Sequence, residues 1–218
     1  MCLSAPASFT VSAVLVVIGT VLVCRVKNKA WLPLALIPWF FALQQCAEGV
    51  VWMYAPVDLQ NSVAVWAKSF FLFFAYVFWP VWLPFSIWLV EKEAQRKLIL
   101  AGCLGLGIGV ATFYGLSIPL MVAIPYRFSI HYGFLNQNYV DLLDHGNFYT
   151  AAQLFYLLST VIPLFISSFK KLRIVGGILA ATGAFIYYID QLLFTSLWCF
   201  FASVVSIGLY FVLKEQDS

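Results

Sequence analysis

The sequence predicts an all-α polytopic integral membrane protein, a single bundle of seven transmembrane helices over residues 1–218. Of its 218 residues 63% are hydrophobic, 18% are aromatic and only 10% are charged. A soluble domain carries roughly 25% charged residues, so soluble enzymes, nucleic-acid binders, disordered regulators and secreted disulfide scaffolds are excluded. The apolar runs are continuous, whereas a β-barrel shows alternation. We therefore expect the lipid bilayer as a partner and no nucleic acid.

Seven stretches come close to the roughly 20 apolar residues that a helix needs to cross the bilayer core. Their predicted bounds are Phe9–Cys24, Trp31–Tyr54, Val65–Val90, Leu98–Leu116, Tyr149–Phe169, Ile174–Asp190 and Leu193–Leu213. The first is short. The last two nearly run together, because only Asp190 and Gln191 interrupt the apolar sequence between them. Prolines at positions 80 and 84 are expected to bend the third span, which can widen a cavity or form a hinge.

The basic residues predict the orientation of the chain. Most of them fall in the first, third and fifth loops and in the tail: Arg25, Lys27, Lys29, Lys92, Arg96, Lys97, Lys170, Lys171, Arg173 and Lys214. Only Lys68 and Arg127 are assigned to the other side. By the positive-inside rule the basic loops face the cytoplasm, so the N-terminus lies outside and the C-terminus inside. The loop 117–147, which carries both histidines, is then extracytoplasmic and is expected to cover the outer side of the bundle.

Small and polar residues at alternating spacings of three and four indicate helix faces that meet other helices. In the fourth and sixth spans these faces are Gly102, Gly105, Gly109 and Thr112, and Gly176, Ala180, Gly183, Tyr187 and Asp190. In the fifth and seventh spans they are Gln153, Tyr156, Thr160, Pro163 and Ser167, and Ser196, Cys199, Ser203, Ser206 and Tyr210. The fourth span is also the expected surface for a homo-oligomer.

The second span contains the most unusual polar group. The segment "FALQQCAEGVVW" places Gln44, Gln45 and Glu48 deep in an apolar helix, and Gln44, Glu48 and Trp52 share one face. An intramembrane carboxylate is energetically costly, and no basic residue is expected inside any span. Glu48 is therefore either protonated or open to an aqueous cavity. It serves either as a neutral group that locks the bundle or as a proton-exchanging group for a ligand.

Other polar side chains are expected at a similar depth, in the outer half of the bundle. Together with Gln44, Gln45, Glu48 and Trp52, the candidates for ligand binding or proton coupling are Tyr76, Trp79, Gln153, Tyr156, Asp190, Ser196 and Cys199. Pockets that bind small molecules combine apolar walls with a few polar groups. The sequence therefore predicts an outward-opening polar pocket centred on Glu48, beneath the loop 117–147.

A metal site is a second hypothesis for the same side. Cys2, His131, Asp144 and His145 are residue types that would suit zinc or copper. Removal of Met1 would place an α-amine beside the Cys2 thiol and improve this donor set. The chain has no HExxH motif, and its sequence requires no cofactor.

Several short motifs resemble an uncharacterised family of seven-helix bacterial membrane proteins over most of the chain. They are the "MCLSA" start followed by Ser-Phe, the Gln-Gln and Glu-Gly pairs before Trp52, and "LWCFFAS" in the last span. The resemblance implies that the following residues belong to the family pattern: Cys2, Ser4, Gln44, Gln45, Glu48, Trp52, Trp198 and Cys199. It also implies a bacterial inner (plasma) membrane, and it assigns no activity.

Three classes of function remain open. The favoured one is binding or transport of a small molecule or ion through the Glu48 pocket, because that pocket has one titratable acid and a kinked aromatic wall. The alternatives are an extracytoplasmic-side membrane enzyme, with or without a metal, and a sensor or assembly partner that transports nothing. Binding is expected ahead of catalysis, and no catalytic residue is assigned.

Overall fold

The computed structural model describes residues 4–55, 57–134, 147–189 and 191–214. The first half of the chain forms α1 (Ala5–Arg25), a 3-10 turn (Lys29–Trp31), α2 (Leu32–Ala35), α3 (Ile37–Tyr54), α4 (Ser62–Leu72), a π turn (Phe73–Phe78), α5 (Trp79–Val90) and α6 (Ala94–Ser117). A 3-10 turn (Ile118–Leu120) leads to strands β1 (Met121–Tyr126) and β2 (Ser129–Phe134). The second half contains α7 (Asn147–Thr160), α8 (Ile162–Ile166), α9 (Lys170–Ile189), α10 (Phe194–Val205) and α11 (Leu209–Leu213), with 3-10 turns at Gln191–Leu193 and Ser206–Gly208.

Six helical segments are long and apolar enough to cross a membrane. They are Ala5–Arg25, Lys29–Tyr54, Ser62–Val90, Ala94–Leu120, Lys170–Ile189 and Phe194–Leu213. These confirm the predicted first four, sixth and seventh spans as membrane-length apolar helices. The predicted fifth span corresponds to α7 and α8, in which the fully described residues form the apolar helical stretch Gln153–Ile166. Within the described residues the architecture is thus a mainly helical bundle, with closely packed neighbours along the chain and α10 in contact with α1 and α3.

The segment predicted only as a covering loop contains an antiparallel β-hairpin. Its register runs from Met121 paired with Phe134 to Tyr126 paired with Ser129. Arg127 begins the two-residue turn with a φ of 51°, a positive value that tight hairpin turns require. Ile130 is fully buried. We call the end of the bundle that carries this hairpin the hairpin end, and the opposite end, at which α1 finishes, the basic end.

Two contacts hold the hairpin against the helices. The ring of Tyr132 stacks on Phe71 of α4, with ring centroids 4.9 Å apart. The Lys68 ammonium, on the same helix, donates a hydrogen bond to the Met121 carbonyl over 2.5 Å. Lys68 lies within the third membrane-length segment, so the expectation that no basic residue lies inside any span is wrong. The hairpin therefore packs as part of the bundle.

Polar contacts at the basic end join two loops. Glu91 is 2% exposed, and its carboxylate accepts hydrogen bonds from the backbone N–H groups of Lys92 (2.9 Å), Glu93 (3.2 Å) and Ser168 (2.8 Å) and from the Ser168 hydroxyl. Burial by itself would raise the pKa of Glu91, but these hydrogen bonds hold it below its ordinary value of 4.5. The carboxylate therefore ties the α5–α6 connection to the α8–α9 connection.

Pro80 accounts for the π turn in the third helical segment. In this turn the N–H of Trp79 donates to the Phe74 carbonyl, five residues earlier. The next donor in that register would be residue 80, and proline has no N–H. The Ala75 carbonyl is left without a backbone donor, and it accepts a hydrogen bond of 2.8 Å from the Tyr156 hydroxyl of α7. The predicted distortion at Pro80 thus takes the form of a π turn that recruits a side chain from another helix.

The glycine face predicted for α6 points away from the bundle, which corrects the prediction. A Cβ atom at Gly102, Gly105 or Gly109 would meet nothing within 4 Å. Gly107 instead faces the bundle, where a Cβ would lie 1.9 Å from the Pro80 carbonyl oxygen. This close approach follows from the sequence of α5, because Pro84 cannot donate to Pro80 and leaves its carbonyl free for a neighbouring helix.

The other predicted faces pack as expected with one exception. Tyr156, Thr160, Pro163 and Ser167 are buried along α7 and α8, and Ser196, Cys199, Ser203 and Ser206 along α10 and the turn that follows it. Gly176 and Gly183 are buried on α9. Tyr187, however, is 47% exposed, and Asp190 lies outside the described residues.

Candidate functional site

Glu48 lies at the centre of a polar cluster inside the hairpin half of the bundle. It is 1% exposed, and Gln44 and Gln45 of the same helix are fully buried. Its carboxyl accepts a hydrogen bond from the Ser196 hydroxyl of α10 and a longer one, of 3.4 Å, from Gln45 Nε2. The structure thus joins the predicted second-span residues to Ser196, a predicted residue that is 148 positions away.

The Gln44 side chain extends this cluster toward α5 and α10. Its Oε1 atom accepts a hydrogen bond of 2.7 Å from the indole N–H of Trp79, whose ring stacks on Phe41 at 4.0 Å. The amide nitrogen of Gln44 approaches the Cys199 thiol but makes no well-formed hydrogen bond with it. Trp79 and Cys199 were both predicted from the sequence. Both lie next to Gln44 and so adjoin the polar cluster around Glu48.

No described Lys or Arg forms an ion pair with Glu48. Lys68, the buried base of α4, donates to the Met121 carbonyl, and the salt bridge among the described residues joins Arg96 to Glu93 at the basic end. A buried charge without a partner is unfavourable. The Glu48 carboxyl therefore depends on neutral hydrogen-bond donors alone within the described part of the chain.

Several buried polar atoms around this cluster have no hydrogen-bond partner among the described residues. They are Gln44 Nε2, Gln45 Oε1, Trp52 Nε1, Tyr132 Oη and, on α1 and β2, Ser8 Oγ and Ser129 Oγ. Buried polar groups in folded proteins are almost always paired with protein, water or ligand. The cluster therefore offers donors and at least one acceptor to a bound molecule or to water.

A cavity of about 940 Å³ lies beside the cluster, between α6, α7, α9, α10 and the hairpin. Tyr132 and Cys199 line it, and both are close enough to Glu48 to interact with its charge. Glu48, Gln44 and Gln45 lie behind this wall and are not among the lining residues. The large cavity is thus not centred on Glu48 but borders the group that surrounds it.

Tyrosines and a threonine form the wall of the cavity near α5. The Tyr76 hydroxyl shares a 2.6 Å hydrogen bond with Thr195 Oγ1, and the Tyr76 ring stacks on Tyr114 at 4.5 Å. Tyr156 contacts both Tyr76 and Trp198 through its ring. Tyr76, Gln153, Tyr156 and Cys199, all predicted site residues, line this cavity.

A smaller void of about 50 Å³ adjoins the large cavity on its basic-end side. Five residues line both spaces: Tyr156, Val161, Leu179, Trp198 and Cys199. The further walls of the void are apolar, apart from Thr160 and Ser206. These five side chains therefore separate two internal spaces along the length of the bundle.

The metal hypothesis stays a prediction. His131 lines the large cavity, and its Nδ1 lies 3.1 Å from the Leu192 carbonyl. The other metal candidates, Cys2, Asp144 and His145, lie outside the described residues. So does Asp190, which was predicted as a residue for ligand binding or proton coupling. Within the part of the chain that the structure describes, no group of three or more His, Cys, Asp or Glu side chains could hold a metal ion.

Sequence reasoning missed four residues that form the cavity or its cover. Tyr114, Tyr132, Thr195 and Trp198 line the cavity, yet none was singled out as a ligand-binding candidate. Two of them had a weak signal: Trp198 belongs to the family pattern and precedes Cys199, and Thr195 precedes the predicted residue Ser196. Tyr132 gave no signal, because its position depends on a hairpin in a segment expected to be a loop.

The fold and the site together define a mainly helical protein that has six helices long and apolar enough to cross a membrane, and a buried acid beside an internal cavity. The whole chain, residues 1–218, matches a family of unknown function, DUF6629, and the protein belongs to that family. No curated protein and no solved structure is significantly similar to it. Membership agrees with the uncharacterised family expected from the sequence motifs.

Proposed function

We propose that this protein binds a small molecule in the large cavity, and that Glu48, behind the cavity wall, takes up or releases a proton when the molecule binds. The observation that carries the proposal is the burial of Glu48 among neutral groups, directly behind the cavity residues Tyr132 and Cys199. A carboxyl without a countercharge is favoured in its protonated form inside a membrane. A ligand that changes the hydrogen bonds or the hydration of this wall would change that preference.

The same geometry supports transport as an extension of binding. The small void continues from the cavity toward the basic end, and Tyr156, Trp198 and Cys199 are among the five side chains that stand between the two spaces. Movement of these side chains would connect the spaces, and an intramembrane acid could couple the movement to a proton. Binding is the primary proposal, and transport requires this further step.

Glu48→Gln is the decisive variant for proton exchange. The amide keeps an acceptor for the Ser196 hydroxyl and removes titration, so the fold should survive. Infrared spectroscopy of the protein in nanodiscs should show a protonated carboxyl band that responds to pH and disappears in Glu48→Gln. Ser196→Ala is the matched control, because it removes the same hydrogen bond and leaves the acid. An unchanged infrared spectrum in Glu48→Gln would show that Glu48 is not the responding group.

We also propose a seven-span topology with the N-terminus outside, in a bacterial inner membrane, with α7 and α8 as the fifth span. The support is the alternation of helices between the two ends and the collection of basic residues at one of them. A single cysteine placed at Asn61 should react with a membrane-impermeant reagent in intact cells, and one at Gln95 should not. The reverse labelling pattern would refute the orientation.

A second copy of the chain is the proposed partner for the outward face of α6. Ala101, Gly105 and Gly109 follow one another at four-residue steps, and this small-residue spacing lets two membrane helices approach closely. Gly105→Leu should reduce cross-linked dimer in membranes. Gly177→Leu, at an α9 glycine that also has nothing within 4 Å, is the matched control. Equal dimer yield in both variants would contradict the proposal.

A further inference from the structure

We infer that the cavity receives its ligand from the bilayer, and that this ligand is an uncharged amphiphile. By this we mean an apolar chain or ring system that ends in a hydroxyl or carbonyl oxygen. The inference rests on the proposed binding function and names the class of molecule. Four features of the cavity support it: a sideways opening, an elongated shape, a polarity gradient and, among the described lining residues, no formally charged side chain.

The opening lies between α7 and α9. Helix α9 packs closely on α8 and α10 but makes almost no contact with the described part of α7. Near the basic end the approach is tight, since a Cβ at Gly176 would lie 2.8 Å from Leu164 of α8. The cavity-lining side chains Leu154 and Phe165 are 54% and 42% exposed. Among the described residues, the space therefore opens on the side of the bundle, between α7 and the membrane-length helix α9, and not at either end.

The shape of the cavity suits a long molecule. Leu154 and Phe165 mark positions eleven residues apart along its rim, which corresponds to roughly 16 Å at about 1.5 Å per helical residue. The volume of about 940 Å³ lies near the upper end of the roughly 300–1,000 Å³ usual for ligand pockets. A single apolar chain or a polycyclic body fits these dimensions better than a small polar solute does.

The polarity of the walls changes along this length. At the hairpin end the lining includes His131, Gln153 and Thr195, whereas the lining toward the basic end includes Ile162, Phe165 and Leu179. His131 Nδ1 lies within hydrogen-bond distance of the Leu192 carbonyl oxygen, which can only accept. In the tautomer that makes this bond, Nδ1 carries the hydrogen and Nε2 is an acceptor. A hydroxyl or carbonyl head can therefore hydrogen-bond at one end while the apolar body fills the other.

The part of the wall that the structure describes carries no group that would match a charged head. No Lys, Arg, Asp or Glu is among the described lining residues. The nearby Lys68 ammonium already donates to the Met121 carbonyl. A phosphate or carboxylate in this space would lose its hydration without gaining an ion pair, which is unfavourable. Phospholipids and ionised fatty acids are therefore poor ligands, and neutral amphiphiles remain.

All-trans-retinol is a suitable probe, because it is an uncharged isoprenoid alcohol and accepts energy from tryptophan. We expect saturable energy transfer from the protein in nanodiscs, with retinol bound at one molecule per chain. Retinyl phosphate, which has the same body and a charged head, should bind at least tenfold more weakly. Equal or tighter binding of retinyl phosphate would overturn the inference that the ligand is uncharged. This comparison needs only the wild-type protein.

Two matched sets of variants on α9 test the location. Ala180 and Ala184 line the cavity, so Ala180→Phe/Ala184→Phe should weaken retinol binding at least tenfold. Ala181 is exposed and is not a lining residue, so Ala181→Phe should bind as the wild type does. Equal binding by both would mean that retinol only partitions into lipid, and would overturn the inference.

The two proposals can fail separately. The infrared response of Glu48 to pH requires no retinol, so its presence without saturable retinol binding would reject only the lipid-derived ligand. Saturable retinol binding with an infrared spectrum that Glu48→Gln leaves unchanged would instead reject the proton exchange. Loss of both would reject the cavity as a functional site.

Discussion

Two glycines of α6, Gly105 and Gly107, should respond differently to substitution by alanine. At Gly107 a Cβ would lie 1.9 Å from the Pro80 carbonyl oxygen and 2.7 Å from the Pro80 carbonyl carbon. Real Cβ contacts essentially never fall below 3.0 Å, so α5 and α6 would have to separate by roughly 1 Å or more. The obstacle is backbone, and no rotamer change can relieve it.

The magnitude of the effect follows from this geometry. Overpacking a well-packed core costs about 1–3 kcal/mol, and Gly107→Ala should lie at or above the upper end because the clash is with main chain. At Gly105, where a Cβ meets nothing within 4 Å, the same change should be neutral or stabilising by up to about 1 kcal/mol through helix propensity. The two variants should therefore differ by about 3–4 kcal/mol.

Equilibrium unfolding in mixed micelles of dodecyl maltoside and SDS, followed by tryptophan fluorescence, measures this difference. The measurement should be repeated over a range of protein concentrations, because Gly105 lies on the proposed dimer face and dimerisation would add to apparent stability. Similar stabilities for Gly107→Ala and Gly105→Ala at every concentration would refute the described packing of α5 on α6.

Three further predictions concern single polar contacts. Tyr156→Phe should lower the free energy of unfolding by about 1–3 kcal/mol, because it leaves the buried Ala75 carbonyl unpaired. In a Pro80→Ala background, where a backbone donor for this carbonyl returns, we expect Tyr156→Phe to cost less. An equal loss in both backgrounds would contradict the role of Pro80 in freeing the Ala75 carbonyl. The pKa of Glu91 is lowered in the folded state, so its contribution to stability is complete above the ordinary value of 4.5 and is lost as the pH falls through the lowered pKa. Unfolding titrations at decreasing pH should show this loss. Glu91→Gln should remove that part of the pH dependence. Lys68→Met should raise hydrogen exchange in the hairpin about tenfold, as expected for the loss of a hydrogen bond from a charged donor, and unchanged exchange would show that the Lys68–Met121 contact does not hold the hairpin.

The sequence predicts the parts of this fold that depend on composition along one helix. Continuous apolar runs located six membrane-length segments, and four-residue spacing placed Gln44 and Glu48 on one buried face. The unusual cost of an acid in such a helix marked the site. These inferences need only the period of the α-helix and the properties of a bilayer.

Features that depend on contacts between distant segments could not be predicted in the same way. The spacing of Gly102, Gly105 and Gly109 indicated a packing face, but the face is decided by Gly107 and the free carbonyl of Pro80 on another helix. Similarly, Tyr132 reaches the cavity wall only because a hairpin forms in a segment that itself gives no helical or membrane signal. Periodicity identifies faces, and only the partner decides which face is used.

The π turn before α5 leads to an expectation about the sequences of other members of the family. A π turn holds one residue more than the α-helical turn it replaces, so it is a natural place for a single-residue insertion. Relatives that are one residue shorter between Phe71 and position 80, and that lack a proline at position 80, should have a regular helix there, in which a backbone N–H pairs with the carbonyl at the position of Ala75. In those relatives the selective reason for a tyrosine at position 156 disappears, and phenylalanine should replace it.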